Sequence, residues 1–177
     1  MKKLVFLSIA LVISVIPSAQ QAVVFTSNNT ATNLTERAKT TNEISTIANQ
    51  TYLLNVFKKD VSKNVKHLQL EVAKFNIKSL KIYNDSEAAT YTVNFKRKNG
   101  FVTVDYDSNG HVIMSSEKYK NVKLPLAIRV KVAKEYPGWE FKETHYTINY
   151  TRHKASTKQY KIKLKKGTET KFVLETL

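Results

Sequence analysis

The fold is decided by residues 89–106, which read ATYTVNFKRKNGFVTVDY. Tyr91, Val93 and Phe95 alternate with polar residues over 89–96, a period that is typical of a β-strand with one buried face. Asn99-Gly100 is a dipeptide that favours a tight hairpin turn. We therefore expect a β-hairpin. Its second strand covers 101–106, and the residues on its apolar face are Val102, Val104 and Tyr106.

A helix is expected before this hairpin, over 62–75. Apolar residues recur there at intervals of three and four, which is the spacing of an amphipathic helix. The residues that carry the pattern are Val61, Val65, Leu68, Val72 and Phe75.

The same elements follow again after the hairpin. Asp107-Ser108-Asn109-Gly110 predicts a turn into a third strand at 111–119. Leu124-Pro125 begins a second helix, and Tyr136-Pro137-Gly138 ends it. Further strands are expected at 139–150, 158–166 and 170–176.

The second helix is expected to have one apolar face. Leu126, Val130 and Ala133 are expected to form this face, widened by Ile128 and Val132.

The order of helix, strands, helix and strands indicates an α+β fold, in which helices cover one face of an antiparallel sheet. We expect two αβββ-like halves, at about 60–119 and 120–177. Together they form one domain over 56–177.

The halves are weakly similar in sequence. Val72-Ala73-Lys74 near the end of the first helix matches Val132-Ala133-Lys134 in the second, and the alternation of 91–95 returns at 160–164. These matches favour an internal duplication. The alternative is the general likeness of any two units with alternating strands.

The first nineteen residues have the form of a secretory signal peptide. Lys2 and Lys3 precede an apolar run from Leu4 to Ile16, and small residues follow it. Cleavage is expected after Ala19, with Ala22 as the alternative. A membrane anchor is disfavoured because the run is shorter than the ~20 residues of a span. The mature chain is thus expected to be exported, to the periplasm or the outside, without a transmembrane segment.

Residues 20–55 are expected to form a flexible or weakly structured leader. They are rich in Asn, Thr, Ser and Ala and show no sustained apolar period. Such a composition offers too little apolar surface to offset the entropy of ordering.

Several of these segments together resemble a known group of proteins. The run Tyr119–Pro125, the helix that follows it, and Tyr136-Pro137-Gly138-Trp139 are similar to secreted bacterial PepSY-like proteins, which are related in fold to the β-lactamase inhibitor protein. The hairpin at 106–110 and the strand at 160–164 also fit, so the resemblance covers about 60–177. It implies an exported domain whose relatives mostly bind or inhibit other proteins. No functional residue carries over.

The charge of the chain is strongly positive and uneven. Lys and Arg number 29 against 14 Asp and Glu, and the formal charge is +15. Lys161, Lys163 and Lys165 alternate with apolar residues, so one strand has a basic face. This face is a candidate binding site for an anionic polymer, lipid head groups or an acidic protein. The alternative is a solvated face that prevents aggregation between sheet edges.

Aromatic side chains are the second set of candidate contacts. Tyr146 and Tyr150 are the main candidates for a protein-binding surface, with Trp139 and Tyr106 beside them. Packing in the core explains these residues equally well.

One segment matches the first half of a calcium-binding loop. Asp105, Asp107 and Asn109 have the spacing of the first ligands. The twelfth position of such a loop needs a bidentate Glu, but Ser116 stands there. We interpret the segment as a hairpin turn.

Enzymatic function has little support in the sequence. The chain has no Cys, no nucleophile elbow and no glycine-rich phosphate loop. Its four His lack the spacing of a helical metal site. We expect no catalytic residues, cofactor or metal, and no nucleic-acid partner because recognition motifs are missing.

Two functions remain at this point. The first is a protein-binding module, with inhibition as one form of binding. The second is an envelope-associated binder of anionic polymer or lipid head groups that uses the lysine-rich strand.

Overall fold

The computed structural model describes residues 47–84 and 88–177 in full and the backbone of 22–26. The expected signal peptide at 1–19 and most of the expected leader lie outside the described residues.

The described chain contains three α-helices and seven strands. The helices are α1 (Gln50–Val56), α2 (Lys63–Lys74) and α3 (Leu126–Glu135), and a short 3-10 helix spans Ile77–Ser79. The strands are β1 (Ala22–Thr26), β2 (Tyr91–Arg97), β3 (Gly100–Tyr106), β4 (Val112–Lys120), β5 (Glu140–Thr151), β6 (Thr157–Lys166) and β7 (Glu169–Thr176).

The strands form one sheet in the order of the sequence. β2 to β7 are antiparallel to their neighbours, and β1 pairs with β2 in parallel. The α+β class and the antiparallel sheet are therefore confirmed. The predicted strands agree with the observed ones to within about two residues because alternation identifies strands well.

The two faces of the sheet differ in composition. One face, here called the covered face, lies under the helices and holds Phe95, Val104, Tyr119 and Ile162, all at most 1% exposed. The opposite side, here called the open face, has the polar residues of each alternating pair. A strand buries every second residue, so this pattern follows directly from the sequence.

At Gly100 the backbone of the hairpin lies close to a side chain of α2. A Cβ built on this glycine would lie 2.6 Å from Cδ1 of Leu68, which is fully buried. The positive φ of the turn falls on Asn99, at 61°. Glycine at position 100 is thus required by packing of the helix on the sheet.

The expected apolar face of α3 is buried only in part. Ile128 and Val132 are buried, whereas Leu126 is 65% and Val130 43% exposed, and Ala133 is also exposed. Both sets of residues are apolar, so the sequence does not show which set faces the sheet. Between them, Nζ of Lys131 lies 2.8 Å from Oε2 of Glu175 on β7.

The folded part also begins earlier than expected. The boundary at residues 55 and 56 falls inside α1, where Tyr52, Leu53 and Val56 are each 1% exposed. This helix has only seven residues, which is too short for a clear helical period, and packing on the sheet stabilises it. Within the expected leader, Ala22–Thr26 also forms a strand.

In the part of the chain that the structure describes, no helix is long and apolar enough to cross a membrane.

Candidate functional site

The lysines of β6 lie on the open face of the sheet. Lys161, Lys163 and Lys165 alternate with Tyr160, Ile162 and Leu164, which are fully buried on the covered face. The predicted division of this strand into a basic and an apolar face is therefore observed.

Three further lysines, which the pattern of β6 alone does not reveal, share this face. Lys118 and Lys120 lie on β4, where Glu117 and Tyr119 point to the covered face, and Lys96 lies on β2. The alternation of β4 indicates that Lys118 and Lys120 lie on one side of that strand. Only the order of the strands in the sheet shows that this side is the one that carries the lysines of β6. The resulting set is called the basic face: Lys96, Lys118, Lys120, Lys161, Lys163 and Lys165.

The register of the strands aligns these side chains across the sheet. Lys120 on β4 is opposite His145 on β5, which is opposite Lys161 on β6. Phe101 on β3 stands between Lys96 and Lys118 in the same way. Directly opposed residues lie about 5 Å apart, so the two lysines of each row, which one residue separates, stand about 10 Å apart.

Carboxylates do not neutralise most of this charge. Among the described residues, no carboxylate lies within salt-bridge distance of any lysine of the basic face. Glu143 is opposite Lys163, but its Oε1 lies 2.8 Å from Nε2 of His145. Glu140 contacts Lys142, and Lys165 acts on it only at longer range. The described carboxylates therefore leave the lysines of the basic face without an ion pair.

The surface at this site is open and shallow. A depression of about 400 Å³ lies over the middle strands, and Lys96, Lys118, Lys120, Phe101 and His145 line it. Arg97, Asn99 and Thr147 also line it. Such a surface suits an extended or flat ligand better than a small molecule, because small molecules need a concave pocket.

Apolar side chains accompany the lysines toward β7. Nζ of Lys161 lies 4.7 Å from the centre of the Phe172 ring, and Phe172 is 55% exposed. A cation over an aromatic face at this distance is an attractive contact. It holds Lys161 at the surface of the sheet.

The tyrosines proposed as contacts belong to the core. Tyr146 is 0% and Tyr150 2% exposed, and Tyr106 is 0% exposed. Tyr146 stacks on Tyr160 with ring centres 4.3 Å apart. A side chain without exposed surface cannot contact a partner in this fold, so Tyr146 and Tyr150 are corrected to core residues. Trp139 is half-buried, with Lys171 over its ring.

A buried carboxylate, which no sequence pattern indicated, lies under the helices. Glu117 is 0% exposed. Its Oε1 accepts a hydrogen bond from Tyr52, and its Oε2 accepts from Tyr119 and Gln69. Burial raises the pKa of Glu117, and these hydrogen bonds offset part of the increase. All three partners are donors toward the carboxylate, so the cluster ties helices to sheet. Because Glu117 is fully buried, its carboxylate has no surface that a ligand in solvent could contact.

The calcium-like segment forms a turn. Oδ1 of Asp107 accepts from the backbone N–H groups of Asn109 and His111, and Oδ2 accepts from Arg152. Burial opposes ionisation of Asp107, but these bonds outweigh it and lower the pKa of the carboxyl group. Oδ1 of Asp105 accepts from Thr92 instead.

Among the described residues, no three His, Asp or Glu side chains come together as metal ligands.

Comparison with known proteins gives no match: no family model, no curated protein and no solved structure is significantly similar to this chain.

Proposed function

We propose that this protein is a non-enzymatic binding module whose basic face binds an anionic component of the cell envelope. The observation that carries the proposal is the set of lysines on the open face, out of contact with the described carboxylates. The ligand class is a phosphate-bearing polymer or a layer of anionic lipid head groups.

The geometry of the sheet supports an extended or flat ligand. Alternate residues of one strand stand about 7 Å apart, and neighbouring strands about 5 Å apart. Lys161, Lys163 and Lys165 therefore form a line of charges along β6. Lys118 and Lys120 extend the charge sideways over β4. A chain or surface with repeated negative charge contacts many of these lysines at once.

The remaining expectations from the sequence form part of this proposal. Export rests on the signal-like residues 1–19. A PepSY-like relationship is supported by the element order, since α2 precedes three antiparallel strands and α3 precedes three more. The likeness of 91–95 to 160–164 gives duplication less support, because β2 follows its helix directly whereas β6 is the second strand after α3.

Protein binding is the second candidate function. Phe101 is 40% and Met114 45% exposed, and both lie on the open face among polar residues. Exposed apolar side chains within a polar surround are common at protein interfaces. A protein partner held by such contacts would resist salt, whereas an anionic polymer would be released.

Two probes test the proposed function at low and moderate salt. The first is a long-chain polyphosphate in solution, and the second is a vesicle containing phosphatidylglycerol. We expect binding to at least one of them at about 50 mM salt, with a marked loss at about 500 mM because the Debye length shortens. Preference for one probe distinguishes polymer from lipid surface.

Charge reversal locates the site. The triple variant Lys161→Glu, Lys163→Glu and Lys165→Glu should lose binding by about tenfold or more. The matched control reverses three exposed lysines of the helical side, at Lys63, Lys74 and Lys134. Both variants change the net charge equally. Equal loss in the two, or no binding of either probe by the unmodified protein, would overturn the proposal.

A further inference from the structure

The outer edge of β7 is open and apolar. β7 is the last strand of the sheet, and no described strand pairs with its outer side. Phe172 is 55% and Leu174 59% exposed. Exposed sheet edges with apolar side chains are templates for pairing with another strand.

One hydrogen bond fixes which backbone groups face outward. The N–H of Leu177 donates to the carbonyl of Lys158 on β6 at 2.9 Å. Hydrogen-bonded and non-hydrogen-bonded positions alternate along an antiparallel strand. Glu175, Val173 and Lys171 therefore also direct their backbone groups to β6. The residues whose N–H and C=O groups face outward are Thr170, Phe172, Leu174 and Thr176.

We propose that a second copy of this chain pairs with β7 along this edge, antiparallel, with Val173 on the twofold axis. Phe172 then exchanges backbone hydrogen bonds with Leu174 of the second copy, and each pair occurs twice by symmetry. Lys171 stands opposite Glu175 of the second copy, and Thr170 opposite Thr176. The segment KFVLE thus matches itself in both charge and apolar character.

The neighbouring registers are less favourable. Paired positions must have the same parity, because only every second residue has outward backbone groups. A shift that puts Phe172 on the axis places Glu169 opposite Glu175, which opposes like charges. A shift that puts Leu174 on the axis places Phe172 opposite Thr176 and Val173 opposite Glu175. Only the register on Val173 pairs apolar with apolar and basic with acidic residues.

The existing contacts of these side chains are compatible with this pairing. Lys171 lies over the rings of Tyr136 and Trp139 on the covered side. Glu175 accepts from Lys131 at 2.8 Å through one oxygen, Oε2. In the proposed register, Lys171 of the second copy approaches this carboxylate, whose side chain is 12% exposed.

Pairing of this kind makes one continuous sheet from both copies. A twofold axis perpendicular to the sheet keeps the two open faces on the same side. The lysines of β6 in each copy then flank the axis, so the dimer presents twice the basic face. Because both copies are strongly positive, long-range repulsion opposes association, and salt should strengthen it.

Cysteine crosslinking tests the register directly, because the natural chain has no Cys. In Val173→Cys the two introduced residues face each other across the axis, about 4.5 Å apart at Cα, which lies within the range of a disulfide. We expect a crosslinked dimer under mild oxidation, in an amount that increases with protein concentration.

Thr170→Cys is the matched control on the same edge. Thr170 is exposed, but its copy lies about 20 Å away in the proposed register. The Thr170→Cys variant should therefore form no crosslinked dimer under the same oxidation. Equal crosslinking of both variants, or no dimer from Val173→Cys, overturns the proposal.

Sedimentation without any cysteine gives an independent measurement. Leu174→Pro removes an outward N–H and leaves the bonds to β6 intact, so association should weaken by about tenfold or more. Raising the salt should strengthen dimerisation of the unmodified protein and weaken its binding to polyphosphate. Because salt acts on them in opposite directions, the proposals of dimerisation and of anion binding can be rejected independently. A protein that sediments as a monomer at all concentrations and salts contradicts dimerisation alone.

Discussion

The hydroxyl of Tyr52 donates a 2.8 Å hydrogen bond to Oε1 of Glu117, across 65 residues of sequence. Both side chains are almost fully buried, at 1% and 0% exposed. The bond joins α1, which lies between β1 and β2 in the chain, to the central strand β4. Since Gln69 of α2 binds the other oxygen at 3.0 Å, one carboxylate holds two helices in place.

Loss of this carboxylate should destabilise the fold. Glu117→Ala leaves three buried donors without their acceptor and opens a cavity. We expect the free energy of unfolding to decrease by about 3 kcal/mol. Urea denaturation measures the change. Glu169→Ala, at an exposed position of β7, is the control and should change stability by less than about 0.5 kcal/mol. Equal effects of the two variants would contradict a structural role for Glu117.

The same group makes stability depend on pH. Burial raises the pKa of Glu117 in the folded state, so the folded protein binds this proton more tightly than the unfolded chain. Its contribution to the free energy of unfolding is therefore largest at low pH. That contribution decreases as pH increases from the usual carboxyl value through the raised value of the folded state.

Glu117→Gln removes the titrating group and keeps a similar shape. The difference in free energy of unfolding between the natural protein and this variant should change with pH across that window. It should become less favourable to the natural protein as pH increases. Urea denaturation at a series of pH values measures it, and a difference that stays constant rules out titration of Glu117.

Two neighbouring leucines test whether α1 belongs to the domain. Leu53 is 1% exposed and Leu54 is 64% exposed. Leu53→Ala should lower the free energy of unfolding by about 3 kcal/mol, and Leu54→Ala should have little effect. Thermal and urea unfolding of both variants provide the comparison. Similar small losses would show that α1 is not packed on the sheet.

The turn at Asp107 should act through hydrogen bonds and not through calcium. Asp107→Ala removes the acceptor of two backbone N–H groups and the partner of Arg152, which should cost about 1 kcal/mol. Millimolar Ca²⁺ should leave the melting temperature of the natural protein unchanged, since a bound ion would raise it. An increase in melting temperature on adding Ca²⁺ would support a metal site instead.

The pKa of Asp107 also predicts the sign of its pH effect. It is lowered in the folded state, so the carboxylate stabilises the fold above the usual carboxyl pKa. This stabilisation is lost as pH decreases through the lowered value. Asp107→Asn should therefore flatten the acid side of the stability curve, measured by thermal unfolding below about pH 5.

Local pattern predicted β2 to β7, α2 and the position of α3, but it missed β1 and α1 and placed the buried face of α3 only in part. Alternation in β2 and β6 identifies both the strand and the face that each residue occupies. In α3, however, Leu126 and Ile128 are equally apolar, and only packing decides which is buried. α1 has only seven residues, about two turns, which is too few to show a helical period. Its residues were therefore assigned to the leader.

The candidate site divides in the same way. Lys161, Lys163 and Lys165 could be found from one strand alone. Tyr146 and Tyr150 were misplaced because a tyrosine in a strand suits a core or an interface equally well. Both tyrosines are buried under the helices, so they belong to the core.

The sequence by itself determined the strand periods, the turns, the positive charge and the basic face of β6, since each depends on neighbouring residues. Tertiary structure alone decided that Lys96, Lys118 and Lys120 share that face, that Glu117 is buried, and that β7 is the last of the described strands in the sheet. These features depend on which strands are neighbours and on which side the helices pack. Contacts between residues distant in sequence fix both, and local pattern does not record them.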